Sequence, residues 1–232
     1  MKDAYLFCTV LLVIGLSFAP AWTPLAAADF EDGLVLYFPF ESSDDAQTVD
    51  MSGQENHGEF VGAIRNDEGK FGKGIEFPTH LDGVLIPDTG SLLVKEAFTG
   101  SAWVYPTQWN FAGHGANRML FVHTQINIDL LLAKGRMEIF SGGAWQQVGM
   151  GPEMPLEEWH MVTGTWSEEE GGKLYRDGSV VKHVKGIKTI DHNVGPSYLG
   201  FMKPLDLGLE GYVGRMDEVR VYNRELSEEE VD

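Results

Sequence analysis

Short apolar runs rich in β-branched and aromatic residues recur along this chain, separated by turns that carry glycine or proline. Runs of that length without a sustained 3.6-residue period predict strands, and their number predicts two sheets packed as an all-β sandwich. The pattern places strands at Leu34–Phe40, Gly58–Ile64, Gly74–Phe77, Val84–Pro87, Phe98–Tyr105, Met119–His123, Ile126–Ala133, Met137–Ser141 and Trp145–Gly149. It continues with Trp159–Trp166, Lys173–Arg176, Val180–Val184, Ser197–Phe201 and Gly211–Asn223. Leu34–Phe40 (LVLYFPF) is apolar at almost every position, so it reads as a strand buried on both faces in a central place.

Two local signals have a mechanism. Asp177-Gly178 lies between KLYR and SVV, and a two-residue hairpin turn of type I′ needs positive φ at both central positions. Near the end, Ser227 stands three residues before Glu230, the spacing of a capping box that starts a short helix.

Ahead of the strands, Lys2 precedes an apolar run from Tyr5 to Phe18, and Ala26-Ala27-Ala28 supplies the small residues of a cleavage site. Residues 1–28 therefore read as a signal peptide removed before Asp29, leaving residues 29–232 as one domain, secreted or periplasmic. The run is shorter than the roughly 20 residues a membrane span needs, so no insertion is expected after removal. Cys8, the only cysteine, lies in that segment. The exported domain has no disulfide and must be held by its core or by a metal.

The chain carries 17 basic and 35 acidic residues, a net charge of −18. That balance argues against nucleic acid and anionic membrane as partners. It is compatible with a calcium-rich setting and equally with simple solubility.

The stretch Asp50–Gly58 (DMSGQENHG) offers oxygen-bearing side chains between glycines. It is either a tight polar turn or a loop converging on a hard cation. Taken together, LVLYFPFE, DMSGQENHG, GKFGKGIEF, FTGSAWVYP, EWHMVTGTW, KLYRDGSVV, SYLG and GRMDEVRVYNRELSEEEV resemble, in order, the bacterial laminin G-like jelly rolls of the concanavalin A-like lectin and glucanase superfamily. The resemblance spans nearly all of residues 33–231, with DEVRVYNRELS its most specific piece and residues 107–155 its least. It implies a two-sheet antiparallel jelly roll, an extracellular binding or adhesive role, and in many members one structural calcium.

By that resemblance the calcium ligands would be Glu41, Asp50, Asn56, the His57 carbonyl and Asp217, with Glu218 an alternative to its neighbour. The competing reading has Asp50 closing an Asx turn and Asp217 pairing with Arg215 or Arg220. Catalytic motifs are missing. Jelly-roll glucanases of this superfamily carry Glu-x-Asp-x-x-Glu on one strand, whereas Ile126–Leu130 offers only Asp129. Gln125-Ile126-Asn127 departs from the lyase pattern, no Gly-x-Ser-x-Gly elbow occurs, and the seven histidines show no ligand spacing. His160 reads as a core or hydrogen-bonded residue.

Sugars stack on aromatic rings while amides and carboxylates bond their hydroxyls. Trp103, Trp159 and Trp166 fall in shared strands and are assigned to packing. Trp109, Asn110, His114, Asn117, Trp145 and Gln146 lie in the variable middle and form the candidate glycan rim, or else cover the sandwich edge. The expected function is thus a monomeric, secreted, non-catalytic module for carbohydrate, carrying one calcium. A protein-binding adhesion module is the alternative, and a polysaccharide-degrading enzyme the third reading.

Overall fold

A computed structural model describes residues 30–93, 95–109, 118–122, 128–131, 136–150, 153–191, 195–200 and 211–232. The signal segment lies outside this set, as do Asn110, His114 and Asn117 of the expected rim. In chain order the strands are β1 Leu34–Phe38, β2 Gln47–Thr48, β3 Gly58–Val61, β4 Ile64–Asn66, β5 Gly74–Phe77, β6 Gly83–Ile86, β7 Ala97–Gln108 and β8 Arg118–Val122. Then follow β9 Ile128–Leu131, β10 Arg136–Ser141, β11 Ala144–Met150, β12 His160–Ser167, β13 Gly171–Arg176, β14 Ser179–Val184, β15 Ser197–Leu199 and β16 Val213–Tyr222. A single helical turn, α1, spans Glu228–Val231.

The pairings are antiparallel and form two sheets. One runs β14-β13-β12-β7-β16-β5-β4, with β1 also on β16; the other runs β11-β10-β9-β8-β15-β6-β3-β2. Alternation explains the core. Phe98, Ala102 and Val104 of β7 and Val162 and Trp166 of β12 point inward with Ile75, Phe77, Met216, Val219 and Val221, against Val84, Ile86, Met137, Ile139, Val148 and Leu199 of the other sheet.

β16 has three partners. Along one side it pairs with β7; along the other it pairs first with β5 through Gly214–Met216 and then with β1 through Val219–Tyr222. Between these stretches Asp217 faces Trp103 and Arg220 faces Ser101, so β16 spends one residue more than β7. This is a β-bulge, and Glu218 sits in it at φ +54°. The extra residue reverses which side faces the core, from Met216 before it to Val219 and Val221 after it.

β1 differs from its expected central place: among the described residues it pairs only with β16. Its unbroken hydrophobicity has another cause. Leu36 and Phe38 enter the core, while Leu34 packs on the outer side under Tyr222, Leu226 and Val231 of the C-terminal segment. The Asp177-Gly178 turn has the expected backbone, φ +50° and +76°.

The capping box is present as read. Ser227 Oγ accepts from Glu230 N at 3.3 Å and the Glu230 carboxylate accepts from Ser227 N at 2.8 Å. Arg224 grips both Glu230 oxygens at 2.9 and 2.7 Å, which holds that carboxyl down at about 2. A lowered acid stabilises the fold above its ordinary pKa of 4.5 and loses that contribution as pH falls toward about 2. Glu230→Gln is therefore expected to lower the thermal midpoint at pH 7 and to match wild type near pH 2. Ser227→Ala should cost about 1 kcal/mol in denaturant melts.

Candidate metal loop and binding surfaces

The polar loop after β1 folds around one carboxylate. Asp50 Oδ1 accepts from Tyr37 N at 2.8 Å and Ser52 N at 2.9 Å; Oδ2 accepts from Ser52 Oγ at 2.8 Å and Asn56 N at 2.9 Å. A carboxylate has about four lone-pair directions, so its capacity is filled. The Ser52 contact is the Asx turn. Asn56, fully buried, donates to Val35 O at 2.7 Å and its carbonyl accepts from the hydroxyls of Thr89 and Ser91. His57 takes part through its ring, Nδ1 accepting from Asp50 N at 3.1 Å.

Glu41 and Asp217 belong to a second group, centred on the loop from Gly69 to Lys73. Asp217 Oδ2 accepts from Phe71 N at 2.8 Å and Oδ1 from Glu218 N at 2.8 Å; Glu41 Oε1 accepts from Lys73 N at 3.0 Å. Gly69 N donates to Gly72 O at 3.0 Å and closes the loop. Gly72 has φ +74°, and a Cβ there would meet the Glu41 carboxylate. The arginines beside Asp217 are engaged elsewhere, Arg215 with Glu68 and Arg220 with Glu218. Burial accordingly pushes Asp217 up to about 6.

The five ligand candidates thus divide into two sites, and among the described residues no three His, Cys, Asp or Glu side chains gather as a metal-binding group. The Asp50 loop does not fit a calcium ion, because N–H and O–H donors already occupy its oxygens. Glu41 and Asp217 fit better. The loop meets both with N–H groups, each carboxylate retains further lone pairs, and Asp217 is a buried acid with no cationic side chain bonded to it among the described residues.

Among the described tryptophans, only Trp145 is well exposed, at 37%. It sits on the β10–β11 hairpin opposite Phe140, ring centroids 5.2 Å apart, with Gln146 exposed beside it. Gly142 and Gly143 turn the hairpin at φ +61° and +79°, and Asp191 pins its tip through Gly143 N at 2.7 Å. Trp109 is elsewhere: it lies in the core, its indole N–H donated to Met154 O at 3.1 Å, and offers no platform to a ligand.

Trp103 and Trp159 correct the packing assignment. Trp166 is in the core, but these two are half-buried on the outer face of the β7–β12–β16 sheet. Strand parity carried the signal: Phe98, Ala102 and Val104 are inward, which sends Trp103 and Tyr105 outward. His160 is hydrogen-bonded, its Nδ1 lying 2.8 Å from Asp177 Oδ2.

With the architecture established, the chain belongs to the concanavalin A-like lectin/glucanases superfamily, whose Laminin_G_3 model matches residues 79–232. Curated protein sequences give no match. Among solved structures it is similar to domain 4 of AbnA, a GH43 extracellular arabinanase from Geobacillus stearothermophilus, in complex with arabinotriose. That pair shares 19% identity over 85% of this chain and 96% of the other, with a TM-score of 0.66. It is also similar to the binding domain of Paraclostridial Mosquitocidal Protein 1, at 19% identity and a TM-score of 0.66, covering 87% of this chain and 51% of that one. A third is the botulinum neurotoxin DC binding domain in complex with rat synaptotagmin II, at 12% identity and a TM-score of 0.61 over 87% and 50%. The chain thus spans about half the length of those toxin domains. No helix among the described residues is long and apolar enough to cross a membrane.

Asp50→Ala would leave the N–H groups of Tyr37 and Asn56 without their acceptor, at about 1–3 kcal/mol for each buried donor. The expected loss is about 3 kcal/mol in denaturant unfolding, the same in chelator as in calcium. A calcium-dependent loss would place the ion at Asp50 instead.

Proposed function

We propose that this protein is a secreted, non-catalytic carbohydrate-binding module. The observation that carries the reading is Trp145. A half-exposed indole is held in place by Phe140 and by a pinned hairpin, with Gln147 and Glu138 on the same face as hydrogen-bonding groups and Gln146 on the other. A preorganised ring flanked by an amide and a carboxylate suits the apolar face and hydroxyls of a sugar. The likeness to an arabinanase domain solved with arabinotriose supports the same class of ligand. Binding should quench or shift tryptophan fluorescence on titration with arabino-oligosaccharides and a wider glycan panel. Trp145→Ala should weaken the affinity by at least about tenfold while leaving the melting curve unchanged. Unaltered binding in that variant would remove the hairpin from the site.

The second reading is recognition of a protein surface, supported by the likeness to a toxin domain bound to synaptotagmin. A glycan panel that stays silent while an extracellular protein is captured stoichiometrically would decide for it.

We also propose one structural calcium at Glu41 and Asp217, completed by carbonyls of the Gly69–Lys73 loop. A divalent ion would neutralise the buried Asp217 carboxylate and tie β16 to the segment after β1. At about 100 times its dissociation constant it should add ~2.7 kcal/mol to stability. Asp217→Asn should abolish that increment and Asp50→Asn should keep it. An unchanged wild-type midpoint between chelator and calcium would refute the site.

A further inference from the structure

We propose that the outer face of the β7–β12–β16 sheet is a second binding surface, distinct from the Trp145 hairpin, that recognises a glycan bearing a single acidic sugar. Four aromatic side chains meet there in two pairs. Tyr105 and Trp159 lie 5.5 Å apart between ring centroids, and Phe71 meets Trp103 edge-on at 5.9 Å. A cation covers each pair: the Arg215 guanidinium lies 4.1 Å from the Tyr105 centroid, and the Lys70 ammonium 4.1 Å from that of Trp103.

This arrangement is not what a solvated antiparallel sheet ordinarily shows, since polar side chains usually fill the outward positions. The other half of the same face is closed by the protein itself, where Leu226 and Val231 cover Tyr175 and Tyr222. Among the described residues the aromatic half has no such cover, and Phe71 is 55% exposed. Its loop contributes little to the core, yet it is fixed through two backbone N–H groups by Asp217 and Glu41. A buried carboxylate thereby positions an exposed phenylalanine, a use of structure that presents a contact rather than packing one.

The ligand class follows from charge and shape. Arg215 is already bonded to Glu68, at 2.7 Å, whereas Lys70 makes no ion pair among the described residues. In a chain with 35 acidic and 17 basic residues, an ammonium parked on an indole is available to an incoming anion. One free ammonium matches one carboxylate. A polyanion would be repelled by the net charge of −18, so the fit is a neutral glycan carrying one uronic or comparable acidic residue. A pyranose face would lie against the exposed Phe71 ring and its carboxylate would reach Lys70 beside it.

The test is isothermal titration of the full chain with glucuronosyl-xylobiose against xylobiose and with sialyllactose against lactose. At least one acidic sugar is expected to bind about fivefold or more tightly than its neutral partner. Lys70→Met, which keeps the aliphatic stem, should erase that preference, and Phe71→Ala should weaken the binding further. Trp145→Ala should leave it intact, which separates this surface from the hairpin site. Equal affinity for acidic and neutral forms, no binding of either acidic sugar at millimolar concentration, or unchanged binding in Lys70→Met would each overturn the proposal. Capture of acidic peptides in place of the sugars would do so as well.

Discussion

The structure turns on one extra residue in β16. A ten-residue strand has a single partner, β7, along one edge and must accept two, β5 and β1, along the other. The bulge at Asp217–Val219 makes that division possible, because it bends the strand and changes which face its side chains occupy. Glu218 bears the local cost in a left-handed conformation at φ +54°. Its carboxylate accepts from Tyr37 Oη at 3.0 Å and pairs with Arg220, which joins β1 to the bulge from outside. Asp217, opposite the outward Trp103, holds the Gly69–Lys73 loop through Phe71 N.

The same few residues link stability to recognition. Tyr37 is bonded at both ends, its backbone N–H to Asp50 and its hydroxyl to Glu218, so the loop after β1 and the bulge in β16 are held through one residue. Phe71 is placed by Asp217, and Trp103 is the cross-strand neighbour of Asp217. The aromatic outer face is consequently anchored at the point where the two halves of the sheet meet. The Trp145 hairpin stands apart on the edge strand β11 of the other sheet and has its own support from Asp191.

Much of the fold was legible in the sequence because hydrophobic alternation, turn residues and capping residues act locally. Nearly every described strand begins or ends within a few residues of an apolar run, and Asp177, Gly178, Ser227 and Glu230 behave as their chemistry requires. The two-residue strand β2 was missed because Gln47-Thr48 carries no such pattern. The bulge was also invisible: it is set by two competing partners of β16, and Gly211–Asn223 reads as one continuous strand. Without it the direction of Asp217 and Glu218 could not be assigned, and the single ligand cage inferred from resemblance divides into two groups. The tryptophans were misjudged for a different reason. Their place in strands shared with the family suggested packing for Trp103 and Trp159, but the parity of β7 places Trp103 on the outer face.

Parity in β7 has an evolutionary consequence. Phe98, Ala102 and Val104 secure the sandwich while Trp103 and Tyr105, interleaved with them, look outward. Substitutions at the outward positions need not disturb the inward ones, since adjacent side chains stand on opposite sides of the same backbone. A lineage can therefore exchange rings for other groups on this strand, and so change what the sheet meets, without rebuilding the interior that keeps it folded.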